Sequence, residues 1–376
     1  MKLSVDHDVF ADAVTWNART IPNRPAIPVL AGMRFVAEED GRISLGSRDS
    51  DVTSHITFDG DVQDPGDILV NGKLLAEIAR ALPNNKVNLT VDGGKLEIKA
   101  GSAQFSIKTM AREDYSELPQ MPPVIGTVDG AEWERAVSQV SIAASHDATL
   151  PLLLSICIEI DGDTISLMAT DRFRLTLRTI TWEPKESDIS ARILVPAARL
   201  LDVAKSYASS GRLELSLDQE GGTAMLGISA AGRQNMIQLI DGEYPQVRAL
   251  FPEEVNGNVV MNRTEFLDAI KRARLVVEKD AAVKCSLSES SVTVEAGHGD
   301  KAQASETMEA QLEGEDITIF FSPEYLQAGF AVIEEENVRI SFTTASKPVI
   351  MVGQDNDGKV NDSFKLLLMP IRTFVS

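Results

Sequence analysis

The sequence predicts an α+β fold built from three related domains. Three observations carry that prediction. A strand–breaker–helix pattern recurs at nearly constant spacing, a second helical pattern recurs in the same order, and strand-like runs with turn residues fill the gaps. The first pattern spans Ile68 to Leu82, Ile193 to Lys205 and Ile319 to Ala331, its starts lying 125 and 126 residues apart, close to a third of the 376-residue chain.

Each third opens with a helix. Phe10, Ala13, Val14 and Asn17 match Trp133, Ala136, Val137 and Val140, then Phe266, Ala269, Ile270 and Ala273. Offsets of three and four put the apolar members on one helical face. Strands follow: Arg42 to Leu45, Thr164 to Met168 and Ser291 to Val294 are counterparts, and Lys95 to Lys99, Gln104 to Lys108 and Phe364 to Met369 close the outer thirds. Asn71 and Ser322 are suitable N-caps for the second helices, and Pro196 and Pro323 suit the first helical position. Proline-rich and polar stretches at 119–123 and 252–258 set the expected domains at 1–121, 122–253 and 254–376. Equal domains joined head to tail present similar surfaces at the two chain ends, and a second copy continuing the rotation closes a ring.

Composition narrows the function. Hydrophobic residues make up 43% and charged residues 24%, a folding composition. Lys and Arg number 36 against 56 Asp and Glu, a net charge of −20 that repels phosphate on average. Tight DNA binding through many basic contacts is therefore not expected. The longest apolar run, Pro151 to Ile158, falls short of the roughly 20 residues a bilayer span needs. Acid appears at Asp6 before any apolar run, so no signal peptide is expected, and Cys157 and Cys285 offer no disulfide framework. A cytoplasmic protein follows as the expectation.

Chemistry is sparsely supplied. His7, His55, His146 and His298 are scattered, without metal-ligand spacing. Leu74 follows Gly72-Lys73 where a phosphate-binding loop needs Ser or Thr. The run Asp49-x-Asp51-x-Thr53 opens like a calcium loop, but Ser54 takes the place of the turn glycine and Gly60 that of the last ligand. No cofactor or metal is expected. A carboxylate pair in acid–base catalysis stays open as an enzymatic alternative, since acids are abundant.

Several segments together resemble the bacterial DNA polymerase III beta subunit, or sliding-clamp, family. They are Arg24-Pro-Ala-Ile-Pro-Val-Leu30, Phe105 to Met110 with Asp114-Tyr-Ser-Glu-Leu-Pro119, Ala169-Thr-Asp-Arg-Phe-Arg-Leu175, Asp241-Gly-Glu-Tyr-Pro245 and Leu367-Leu-Met-Pro-Ile-Arg372. The resemblance implies three clamp domains per chain and a head-to-tail homodimeric ring, with antiparallel sheets outside and helices lining the hole. Such a ring encircles duplex DNA without sequence preference. It tethers the replicative polymerase and has no chemistry of its own, though a DNA-directed DNA polymerase label attaches to the holoenzyme. A cytoplasmic, nucleoid-associated location follows.

The resemblance also implies sites. A partner-peptide pocket between the second and third domains, shared by polymerases, clamp loader and repair or translesion proteins, falls on Thr170, Asp171, Arg174, Leu175, Pro245, Arg248 and Leu250. The third domain and tail add Tyr325, Ser346, Pro348, Leu367, Leu368, Met369, Pro370, Ile371 and Arg372. From the residues alone, Leu367 to Met369 also reads as a core strand. Arg24 and Arg80 are the implied DNA contacts, with a surface cation or structural ion pair as the alternative. Phe105 and Ile107 against Leu275 and Val276 are the implied dimer seam.

Departures from the family pattern are also present. Arg172-Phe173 stands where many members carry Gly-His, and Ala249, Ser102 and Gln104 stand where some carry arginine. Pro151 to Ser155 is unusually apolar, Ala197-Ala198 replaces a basic pair, and Thr373 to Ser376 extends the tail beyond Arg372. Basic and acidic residues mix on the candidate helices, leaving the charge of the hole open. These features leave room for a specialised homologue that binds partners as an adaptor or decoy.

Overall fold

The computed structural model describes residues 1–218, 224–252, 254–278, 281–297 and 302–372. Two features named from the sequence, His298 and the Thr373–Ser376 tail, lie outside the described residues. Six α-helices occur among the described residues: α1 (His7–Asn17), α2 (Gly72–Ala81), α3 (Gly130–Ser141), α4 (Ala197–Tyr207), α5 (Arg263–Ala273) and α6 (Pro323–Val332). They are the helices the two repeating patterns predict. Asn71 caps α2 by accepting from the Leu74 N–H, and Ser322 caps α6 by accepting from Tyr325 N–H.

The chain forms two compact units. The first comprises Met1–Ala131, Glu183–Glu186 and Asp202–Leu239 and holds a 14-stranded sheet. Within it α1 and α2 pack together, burying Phe10 and Val14 from one and Leu75 and Ala79 from the other. The second comprises Glu132–Trp182, Ser187–Leu201 and Ile240–Ser376 and holds a 12-stranded sheet. There α5 and α6 pack together, with the Phe266 and Phe330 rings 4.6 Å apart. Among the described residues all strand pairings of the ladders are antiparallel, so each ladder is built from hairpins and edge-to-edge joins.

The middle third divides its strands between the two sheets. In the first unit Arg233–Gln238 joins Val52–Asp59, with Ile237 opposite Val52. In the second, Arg174–Thr181 joins Phe364–Leu368, with Arg174 opposite Leu368. Each join is a seam between successive thirds, and the second positions the candidate site.

One expectation is corrected. Pro196 is the last residue of the strand Ser190–Pro196, not the first of a helix, and α4 begins at Ala197. That strand lies at the edge of its sheet, where a missing N–H leaves no ladder bond unmade.

Candidate functional site

The site grows from a tight turn. Strands Thr164–Thr170 and Arg174–Thr181 are joined through Asp171-Arg172-Phe173. Asp171 Oδ1 accepts the N–H groups of Phe173 and Arg174, both at 3.0 Å, while its Oδ2 accepts Arg174 Nε at 3.0 Å. The Thr170 hydroxyl donates to the Arg174 carbonyl at 2.7 Å and accepts the Arg172 N–H at 3.1 Å. The Thr170 N–H donates to the Tyr244 hydroxyl at 2.9 Å, and burial pushes that phenol's pKa up. Short polar side chains bonding back to the main chain fix such turns.

Two aromatic contacts extend from the turn. The Phe173 ring stacks on Tyr325 with centroids 6.4 Å apart, and the Arg174 guanidinium lies 4.4 Å from the Tyr325 centroid. Burial first, and Asp171 second, raise the pKa of the Tyr325 phenol. Tyr325 is therefore a neutral platform with a cation bound to it.

The end of the chain supplies the opposite wall. Strand alternation sends Leu367 to an apolar cluster with Leu175, Leu153, Met168, Tyr244 and Val247, while Leu366 and Leu368 enter the α5–α6 core. Past the strand, Met369 N–H donates to the Phe173 carbonyl and Ile371 N–H to the Phe320 carbonyl, each at 2.8 Å. These two bonds lay Met369–Arg372 along a cleft of about 670 Å³. Its other walls include Phe173, Arg274, Val277, Glu278, Ser322 and Tyr325. Met369 belongs to both features, packing against the apolar cluster and lining the cleft.

The residues singled out from the sequence fall into five groups. Tyr325, Met369, Pro370, Ile371 and Arg372 line the cleft. Leu175 and Leu367 build the apolar cluster beside it, and Thr170, Asp171 and Arg174 form the turn. Pro245, Arg248 and Leu250 are exposed around the buried Val247, and Arg248 pairs with Glu159 at 2.9 Å. Leu368 faces the core, Ser346 is exposed, and Pro348 precedes Val349, which pairs with Leu368. Sequence reasoning did not place Arg274, Val277, Glu278 or the N-cap Ser322 at the cleft. Phe173 carried a signal, an exposed aromatic at a turn bounded by Asp and Arg.

The other candidates lie elsewhere. Arg24 is exposed. Arg80 lines a cleft of about 420 Å³ beside Arg19, Asn23, Lys73 and Glu77, its Nε donating to the Ala76 carbonyl at 3.2 Å. The six helices carry eight Lys and Arg against nine Asp and Glu, so a charge of −1 falls on them and −19 on the rest of the chain. Phe105 is 37% and Leu275 84% exposed, whereas Ile107 is buried in its own unit and Val276 packs against the α5–α6 core.

Two helices to each third, on runs of antiparallel strands, with a cleft along the tail, are the arrangement of the DNA-clamp class. The models for the N-terminal, central and C-terminal domains of the DNA polymerase III beta subunit match residues 1–119, 127–246 and 248–372. The chain belongs to that family, whose members are accessory subunits and not enzymes. It is 42% identical over 374 residues to the beta sliding clamp of Streptomyces coelicolor, covering 99% of both chains. It is 33% identical to the beta sliding clamp homolog GriR of Streptomyces muensis, again over 99% of each. The crystal structure of the Bacillus subtilis DNA polymerase sliding clamp superposes with a TM-score of 0.91 at 25% identity, covering 100% of both chains.

Proposed function

We infer that this chain is a sliding clamp, two copies of which close head to tail around duplex DNA and tether the replicative polymerase. Three domains at 1–121, 122–253 and 254–376 serve as the repeating unit. The cleft and apolar cluster at the tail take short peptide motifs from the polymerase, the clamp loader and repair or translesion proteins. Arg24 and Arg80 touch the DNA backbone. No step of this function requires bond making or a cofactor.

The observation that carries the reading is the repeated seam. Successive thirds join through equivalent strands twice within the chain. The next pair in that series has open edges among the described residues. Residues 103–108 of Ala103–Met110 pair only with Lys95–Ala100, and residues 304–309 of Ala304–Glu313 only with Ser291–Ala296. A second copy satisfies both edges, which would otherwise invite aggregation. The near-neutral helices within an acidic chain support a hole that tolerates phosphate while the rest of the protein repels it.

The test loads the protein, with its cognate loader and ATP, onto nicked circular DNA and washes at high salt. Retention on circles and loss after linearisation is the expected result, because salt screens contacts but cannot open a ring. Equal retention on both forms overturns topological binding. Ala197-Ala198 favours the adaptor reading, which predicts peptide binding with no loading on either form.

A further inference from the structure

Arg172 is one of two non-glycine residues with positive φ among the described residues, at +81°. Glycine occupies that region at no steric cost, whereas a residue with a Cβ does not. The conformation is imposed by the bonds of Thr170 and Asp171 to the three following N–H groups. Yet the side chain placed there is long, exposed and charged. Its guanidinium forms no ion pair among the described residues and lies 6.0 Å from the centroid of the Phe173 ring. The neighbouring acids have closer partners: Asp171 holds Arg174, and Asp147 accepts the Thr149 N–H and hydroxyl at 2.9 and 2.7 Å, bonds that lower its pKa more than the nearby Arg172 charge does. Phe173 is a wall of the cleft, so Arg172 stands at its rim.

We propose that Arg172 is a specificity-determining residue that selects partner peptides carrying an acidic residue beside their apolar anchor. The proposal rests on the peptide-site reading of the cleft. A backbone conformation costly for arginine, retained at a functional rim, points to a task for the side chain. The task follows from charge. A body of −20 repels an acidic peptide, and a free guanidinium at the rim reverses that preference locally. Phe173 keeps the cation oriented over its ring while one face stays open to a carboxylate.

The test uses the full chain and fluorescent nine-residue peptides with a central Leu-Leu anchor, varying one flanking position at a time among Asp, Asn and Lys. At low salt the wild type is expected to bind the Asp peptide about three-fold more tightly than the Asn peptide, with Lys weakest. Arg172→Gly is expected to erase that order, and Arg172→Lys to restore part of it. Folding is not the obstacle, since glycine suits φ +81° and the melting temperature of Arg172→Gly is expected to equal or exceed the wild type's. An unchanged order in Arg172→Gly, or no preference for Asp at either flank in the wild type, overturns the proposal while leaving the peptide site intact. No peptide binding at all, or binding insensitive to Met369→Ala, overturns the site reading and this proposal with it.

Discussion

Met369 lines the cleft and Leu175 belongs to the apolar cluster beside it, and their burial separates what a substitution at each reports. Met369 is half-buried past the end of its strand, where its adaptable side chain suits the proposed capture of different partners. Met369→Ala is expected to weaken peptide binding by about 1–2 kcal/mol with little change in melting temperature, read by calorimetry and thermal denaturation. Leu175 is 1% exposed, so Leu175→Ala also costs the fold about 2–5 kcal/mol, and lost binding there is ambiguous. His55 offers a residue-scale test of stability. It sits on the first seam opposite Gln234, and burial depresses its pKa, outweighing the hydrogen bond to Gln234. The folded state thus prefers neutral imidazole. Its contribution is complete above the unfolded pKa of about 6.5 and is lost as the pH falls from there through the lower folded value. His55→Asn is expected to flatten the acid side of the melting-temperature profile in that window. An unchanged slope would assign the acid sensitivity to other groups.

Strand equivalence gives the second copy of the proposed dimer a register. In the first seam Val52 lies opposite Ile237, and in the second Arg174 lies opposite Leu368. The hairpins that carry these strands, pairing Arg42 with Asp59, Thr164 with Thr181 and Ser291 with Glu309, make Val52, Arg174 and Ala302 equivalent. Ala100–Ala103 and Ala230–Arg233 likewise make Ile107 equivalent to Ile237. The third seam then sets Ile107 opposite Ala302 and Phe105 opposite Ala304. An exposed ring facing an alanine is a sound fit, and Cα atoms directly opposite across antiparallel strands lie within disulfide range. Phe105→Cys with Ala304→Cys is expected to give covalently closed dimers on oxidation, without interference from the buried Cys157 and Cys285. Monomers on a non-reducing gel would refute the register, and Phe105→Asp alone is expected to yield monomers in sedimentation. The helices were legible in the sequence because their 3.6-residue pattern is local. The division of the middle third between two sheets was not, because edge joins depend on strands far apart in sequence. The cleft shows the same limit: Tyr325 and the tail motif could be read from one segment each. Arg274, Glu278 and Ser322 reach it only because α5, α6 and the tail converge.

On the scale of the whole molecule, charge bears on how the proposed clamp holds DNA. A clamp must let its substrate slide, which demands contacts weak enough to exchange and a linkage that does not depend on them. The distribution of −1 on the helices and −19 elsewhere meets the first demand by offering few cations to phosphate. In the proposed dimer, closure of the ring meets the second. Unloaded protein is therefore expected to bind linear duplex weakly, with a shallow dependence of the binding constant on salt, because few counterions are released. Ala198 is exposed in the first turn of α4, within the pair that departs from the family's basic residues, so it can be charged without disturbing the core. If α4 lines the hole, Ala198→Lys adds one phosphate contact and steepens the salt slope by about 0.9 in logarithmic units. The same variant loaded on circles is expected to keep its lifetime in high salt, since that lifetime reports opening of the seam, and to diffuse more slowly along DNA at low salt. Fluorescence anisotropy on linear duplex and single-molecule tracking on circles read the two quantities separately. An unchanged slope would place α4 away from the DNA path, and a salt-dependent lifetime on closed circles would show that contacts, not topology, hold the protein.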